Sequence, residues 1–257
     1  MAVAPNRISP WFLLLVAVTL VGGVLAALGT PALLETGSSP LLTTGVVLLV
    51  LGGWSVSLCL HEFGHAFVAY RSGDWTVREK GYLTLDIRRY TDVVLSFVLP
   101  VLFLLLGGIP LPGGAVWINH SLVRSRARRS LVSLAGPLTN LVIGGLLCLA
   151  VALVPMPVGL VVALSCLALV QVLAFVLNIL PVPGLDGFGA LEPYLPPAAV
   201  RLAAQVRPWA PLALFALFIG VPGVATVFFS LGWAVFGLLG GSEELAGYGY
   251  GQLMFWR

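Results

Sequence analysis

His61-Glu62-Phe63-Gly64-His65 places two imidazoles and a carboxylate within five residues, in the pattern HExxH. On an α-helix, side chains four residues apart share a face, so His61 and His65 can offer nitrogens to one ion with Glu62 beside it. The chemistry open to such a group is metal-assisted hydrolysis, with the glutamate as general base toward a water. The chain has three histidines, and chance placement of two of them around a glutamate in this register has odds on the order of one in a thousand. The competing interpretation is a pair of polar residues packed inside a bundle. Ionisable groups inside an apolar segment are costly and are usually kept for function, which favours a metal site.

Two histidines leave such a site one protein ligand short. Catalytic zinc usually takes three, and two histidines with one carboxylate is a known set. Asp186 lies in Asn178-Ile179-Leu180-Pro181-Val182-Pro183-Gly184-Leu185-Asp186-Gly187, just after the apolar run 158–180. Leu-Asp-Gly alone is a common turn. Here it falls two spans after a basic loop that follows the histidines, which brings it to the same face of a membrane as His65. The expected metal is zinc, with His61, His65 and Asp186 as ligands and Glu62 as base.

The elements that carry these residues are membrane helices. Of the 257 residues, 59% are hydrophobic and 9% charged, against about 25% charged in soluble domains. Mean hydropathy is +1.05, and apolar runs long enough to cross a bilayer recur along the whole chain. The sequence predicts an all-α polytopic membrane protein with spans near 11–29, 41–70, 131–154, 158–180, 198–220 and 222–240. The first run is too long, and Gly29-Thr30-Pro31 too poor a cleavage site, for a signal peptide. Domain organisation follows: 1–40 as an N-terminal span with its outer loop, 41–190 as the catalytic membrane core, and 191–257 as a C-terminal helix pair and tail.

Arg71, Arg78, Lys80, Arg88 and Arg89 cluster in 71–92, and Arg124, Arg126, Arg128 and Arg129 follow, whereas 30–40 holds Glu35 and no basic residue. The positive-inside rule puts both basic segments in the cytoplasm and 30–40 outside. The basic clusters are explained by this orientation, and no nucleic-acid partner is expected. A helix crossing at 92–109 would put the second cluster outside and separate His65 from Asp186. The expectation is therefore a re-entrant element that dips in as helix and returns as a strand through Gly113–Ile118, lining the active site. Such backbone is tolerated at membrane depth only beside protein or a water-filled cavity. The alternation Tyr82-Leu83-Thr84-Leu85-Asp86-Ile87 also predicts a short hairpin.

Other polar groups receive plainer assignments. Cys59, Cys148 and Cys166 lie in apolar segments and are expected to be small buried side chains. His120 is expected to be a solvated loop histidine rather than a fourth ligand. Asn140 and Gln171 are expected to make polar contacts between helices.

HEFGH, NILPVPGLDG and the stretch Ala135-Gly136-Pro137-Leu138-Thr139-Asn140 together resemble the site-2 protease family of intramembrane zinc metalloproteases, over roughly residues 41–190. The resemblance implies the same zinc ligands and the same base, and gives Asn178 a catalytic role beside the scissile carbonyl. It also implies a lipid-bilayer setting in the cell membrane, an active site near the cytoplasmic side, and a transmembrane protein as substrate. The apolar stretch 92–109 departs from the family's most compact members, and the PDZ and CBS modules of other members do not occur in these residues. The alternative function is a transporter or other metal-binding membrane protein without peptidase activity, which would not need the base Glu62.

Overall fold

The structure, a computed structural model, describes residues 8–37, 39–90 and 116–256. Its helices are α1 (Pro10–Leu28), α2 (Thr30–Thr36), α3 (Pro40–Ser72), α4 (Thr76–Glu79), α5 (Arg126–Leu153), α6 (Val158–Asn178), α7 (Asp186–Leu191), α8 (Pro197–Val206), α9 (Ala210–Gly220), α10 (Val224–Leu238) and α11 (Glu243–Leu253). No strand occurs among the described residues. Among the described residues, four segments are long and apolar enough to cross a membrane: Pro10–Thr36, α3, α5 and α6.

α3 starts where Ser39 Oγ accepts from Leu42 N at 3.2 Å, with Pro40 in its first turn. Both are favourable helix starts, since the first-turn N–H groups have no partner inside the helix. The helix runs 33 residues, about 50 Å at 1.5 Å per residue, which exceeds a hydrocarbon core of about 30 Å. It ends at Gly73, whose φ of 122° suits glycine best. α5 carries Ser125 as its cap and Pro137 in its interior. The ring removes a backbone donor there, and interior prolines kink or open a helix.

α6 is the central element: nearly all its residues from Val162 to Asn178 are buried, and it packs against α3, α5, α10 and α11. α5 behaves differently. Leu138, Val142, Leu146, Leu149 and Leu153 repeat at helical spacing and remain 45–70% exposed. An apolar stripe of that length has no use in water and suits lipid contact. The three cysteines are free and buried.

Two expected spans and the expected hairpin meet the structure differently. The run 198–220 is not one helix. It is divided between α8 and α9 by a 3-10 turn at Arg207–Trp209, with Pro208 inside it. Proline lacks the N–H that would continue the ladder, so neither half reaches spanning length. α10, at 15 residues, is also shorter than a full span. The hairpin at Tyr82–Ile87 is replaced by two 3-10 turns, Tyr82–Thr84 and Ile87–Arg89. Asp86 accepts from Arg88 N at 3.1 Å, and Leu85 adopts a φ of 56°; this local side-chain bond turns the chain where alternation had suggested extension. The Arg88 guanidinium, 2.8 and 3.0 Å from the same carboxylate, holds Asp86 below the usual carboxylate range. The expected re-entrant element lies outside the described residues as far as residue 115, and Val116–Ile118 beyond it join no strand.

α1 and α3 approach through glycine. A Cβ on Gly45 would overlap the Ala26 backbone, and one on Gly22 would overlap that of Leu49. Gly45→Val should therefore destabilise the fold by about 1–3 kcal/mol, the usual cost of overpacking, read as a lower midpoint of thermal aggregation in detergent. Gly251→Ala, where the new methyl meets nothing within 4 Å, should leave that midpoint unchanged or raise it.

Candidate metal centre

The histidines project from the buried face of α3, twenty-odd residues from its start, and both are 5% exposed. Asp186 reaches them from the first turn of α7. After α6 ends at Asn178, the prolines at 181 and 183 stop any further helix, and Gly184, with φ 103°, turns the chain back. Gly187 then packs where a Cβ would overlap the Ile179 carbonyl. Glycine after the aspartate is thus required for the close return that delivers Asp186.

The three groups converge. His61 Nε2 lies 3.2 Å from Asp186 Oδ2, His65 Nε2 lies 3.4 Å from Asp186 Oδ1, and the two Nε2 atoms are 3.1 Å apart. One ligand atom from each falls within 4.8 Å of the others, a cluster able to hold a metal ion. His65 Nδ1 is 2.6 Å from Val132 O. A carbonyl can only accept, so Nδ1 carries a proton and Nε2 faces the centre. His61 Nδ1 is 2.5 Å from Asn140 Oδ1, while Asn140 Nδ2 donates to Gln171 Oε1 at 2.8 Å.

With both Nδ1 atoms committed as donors, the centre presents two imidazole lone pairs and a carboxylate to one point. Such a set demands positive charge, supplied by protons or by a metal cation. When protons supply that charge, burial opposes ionisation of Asp186, but charged His65 and the hydrogen bonds from the imidazolium Nε2 atoms outweigh it and hold the carboxyl below its ordinary range. The donor set, two nitrogens and one carboxylate oxygen with outer hydrogen bonds on each ring, fits a divalent transition metal.

Glu62 is 3% exposed and lines the same cavity of about 180 Å³, with Val116, Ile118, Asn178 and Asp186. Its Oε2 accepts from Val116 N at 3.1 Å. Asn178 is buried at the cavity wall, and its Nδ2 donates to Ala174 O at 3.0 Å, so one of its two N–H bonds remains. His120 is exposed at the cavity rim and is not one of the three converging groups. Partial desolvation, then the charge of Arg129, hold its pKa below the ordinary imidazole value.

No known family model and no solved structure matches this chain. Curated relatives do. A protein of Mycobacterium tuberculosis named zinc metalloprotease Rip2 is 47% identical over 252 residues, covering 97% of this chain and 95% of that protein. The Rip2 of Mycolicibacterium smegmatis is 44% identical over the same shares. A zinc metalloprotease of Bacillus subtilis, YwhC, is 29% identical over 178 residues, 64% of this chain and 77% of that one. The chain belongs to the site-2 protease family.

In this site-2 protease the sequence motifs meet in space, and one face of α5 joins them. Val132, Gly136 and Asn140 follow each other at four-residue spacing. Val132 O binds His65, Asn140 binds His61, and a Cβ on Gly136 would overlap both Nε2 atoms. The interhelical role expected of Asn140 and Gln171 holds, since they bond across α5 and α6. Their tie to His61 was not foreseen. The AGPxxN spacing contained the signal, because Gly136 and Asn140 share a helix face as His61 and His65 do.

Gly136→Ala tests this contact. The added methyl cannot fit without displacing both imidazoles, so purified protein should bind metal about tenfold more weakly or worse, the scale of outer-shell disruption. Metal analysis after dialysis against a graded chelator reads the change, and wild-type retention would contradict the packing.

Proposed function

We propose that this metalloprotease hydrolyses a peptide bond in or near a transmembrane segment of another membrane protein, with zinc held by His61, His65 and Asp186 and Glu62 as general base. The observation that carries the proposal is the convergence of these three ligand groups beside Glu62 in one cavity. The metalloprotease names of relatives that match nearly the whole chain support zinc as the metal. We further propose residues 41–190 as the catalytic core, in the cell membrane, with the site near the cytoplasmic side.

Zinc bound there supplies Lewis-acid chemistry, acidifying a water and polarising the scissile carbonyl. Glu62 takes the water's proton and delivers it to the leaving amine. The Val116 N–H occupies Oε2, which leaves Oε1 to carry that proton. The remaining N–H of Asn178 donates to the developing oxyanion. A substrate helix hides its carbonyls in its own hydrogen bonds, so it must unwind before it reaches the cavity. Val116 and Ile118 line the cavity beside Glu62, which supports a role for this stretch in aligning the unwound substrate.

Glu62→Gln keeps shape and removes the base. It should retain zinc and fold while losing cleavage of a model transmembrane substrate by at least about a hundredfold, the usual reach of general-base catalysis. Residual activity within about tenfold of wild type, a barrier change of about 1.4 kcal/mol, would exclude Glu62 as base. Asp186→Ala should instead lose zinc, because two ligands hold far less tightly than three. A metal transporter lacking peptidase activity would keep its activity in Glu62→Gln.

Cysteines placed beside Arg71 and Arg126 test the orientation. Both should react with an impermeant label from the cytoplasmic side of oriented vesicles. Labelling at Arg126 from outside alone would overturn the topology and the side assigned to the site.

A further inference from the structure

Gln171 sits in the middle of α6, is fully buried, and is not one of the converging ligand residues. A fully buried amide in an apolar helix is costly unless its groups are partnered. Its Oε1 accepts from Asn140 Nδ2 at 2.8 Å, yet its Nε2 has no partner among the described residues. Gly144 packs beside it, where a Cβ would sit 3.4 Å from Gln171 Cβ.

The hydrogen bonds form a chain with a direction. His61 Nδ1–H donates to Asn140 Oδ1, Asn140 Nδ2–H donates to Gln171 Oε1, and the chain ends in an amide donor left unmet. The reverse direction would use the same atoms: Gln171 Nε2 would donate to Asn140 Oδ1, and Asn140 Nδ2 to His61 Nδ1. That reversal would put the ring proton on His61 Nε2, 3.2 Å from Asp186 and in the place a metal must take. Both directions leave one Gln171 atom unmet, and the one observed has Gln171 Oε1 turned to Asn140 Nδ2. Its carbonyl is needed to hold Asn140 in the orientation that presents Oδ1 to His61.

We propose that Asn140 and Gln171 act as a two-residue positioning relay that holds His61 with Nδ1 protonated and the Nε2 lone pair toward the metal, so that a residue one helix away from the ligands sets metal affinity. The relay rests on His61 being a zinc ligand. It deepens that assignment by naming the groups that orient the ring. Outer-shell partners of metal-bound histidines act in this way, fixing tautomer and ring orientation. Without the Gln171 acceptor, the Asn140 amide can rotate its NH₂ toward His61 and select the wrong tautomer.

The test is zinc affinity of the full-length protein in detergent, by chelator competition, with the visible spectrum of the cobalt-substituted protein and nitrogen NMR of labelled histidine as second readouts. Asn140→Leu should weaken zinc binding about 10- to 100-fold. Gln171→Leu, isosteric but without an acceptor, should weaken it about fivefold, the worth of one hydrogen bond, and shift His61 toward the tautomer protonated at Nε2. Asn140→Asp and Gln171→Glu keep an acceptor carbonyl, protonated or not, and should bind within about twofold of wild type. Wild-type affinity and tautomer in Gln171→Leu would overturn the relay, as would equal loss in Gln171→Glu and Gln171→Leu, which would signify packing alone. His61→Ala, measured in parallel, separates the two levels. If it binds zinc as tightly as wild type, the ligand assignment fails and the relay with it; if it loses zinc while Gln171→Leu does not, only the relay fails.

Discussion

The close approach of α5 to α3 at Gly136 is the constraint on which the centre depends. The two Nε2 atoms lie where a Cβ of residue 136 would be. Because α5 comes this near, its backbone and side chains can serve as the outer shell: Val132 one turn before Gly136 takes His65, and Asn140 one turn after takes His61. Gly64, between the two histidines, makes the same approach from the other side, where a Cβ would lie 2.8 Å from Thr139 Oγ1. Pro137 follows Gly136 in an interior turn where a backbone donor is lost. Two glycines, one on each helix of the pair, are thus a condition of the close approach that positions the histidines.

That contact also explains how so polar a cluster survives in an apolar chain. His61, Glu62, His65, Asn140, Gln171 and Asn178 are all at or below 5% exposure. Unpaired, each would cost free energy on the scale of a lost hydrogen bond or more. Here each is tied to a group on another element or on the preceding turn, apart from the terminal amide of Gln171. The outer hydrogen bonds direct the Nε2 atoms of His61 and His65 inward toward Asp186, and positive charge at that point would make the orientation favourable.

Much of this was legible from particular residues. HExxH reads on one helix face because i and i+4 coincide there, and Asp186 could be matched to it by counting spans from the basic clusters. The four long helices were recognisable from hydropathy alone. The failures have physical causes. The stretch 198–220 is mostly apolar despite Arg201, Gln205 and Arg207, and hydropathy does not register that Pro208 interrupts the helix. The alternation in Tyr82–Ile87 has the period of a strand, but Asp86 bonds Arg88 of its own segment rather than leaving the backbone to a neighbour. The outer shell was missed because interhelical contact and ligand orientation use the same residue types; only the spacing of Gly136 and Asn140 relative to the histidines distinguishes them.

Glu62 and the two histidines, although adjacent in sequence, are positioned by different parts of the molecule. His61 and His65 are oriented by α5, and Asp186 is delivered by the turn after α6. Glu62 instead meets the Val116 N–H, in the segment leading to α5. That segment is held by its own anchors. Buried Asp74, just past the end of α3, accepts from Asn119 N at 2.7 Å and from Thr76 Oγ1 at 2.6 Å, Lys80 Nζ donates to Trp117 O at 2.9 Å, and Arg124 N reaches Ser72 O at 3.4 Å. Each anchor lies between Ser72 and Lys80, at and just after the C-terminus of α3, the helix that carries Glu62. The chain therefore leaves α3 and is drawn back across its own end, so that the glutamate and the backbone donor it meets are fixed relative to one helix. The orientation of the two imidazoles therefore depends on the α3–α5 contact, whereas the direction of the Glu62 carboxylate depends on this local return.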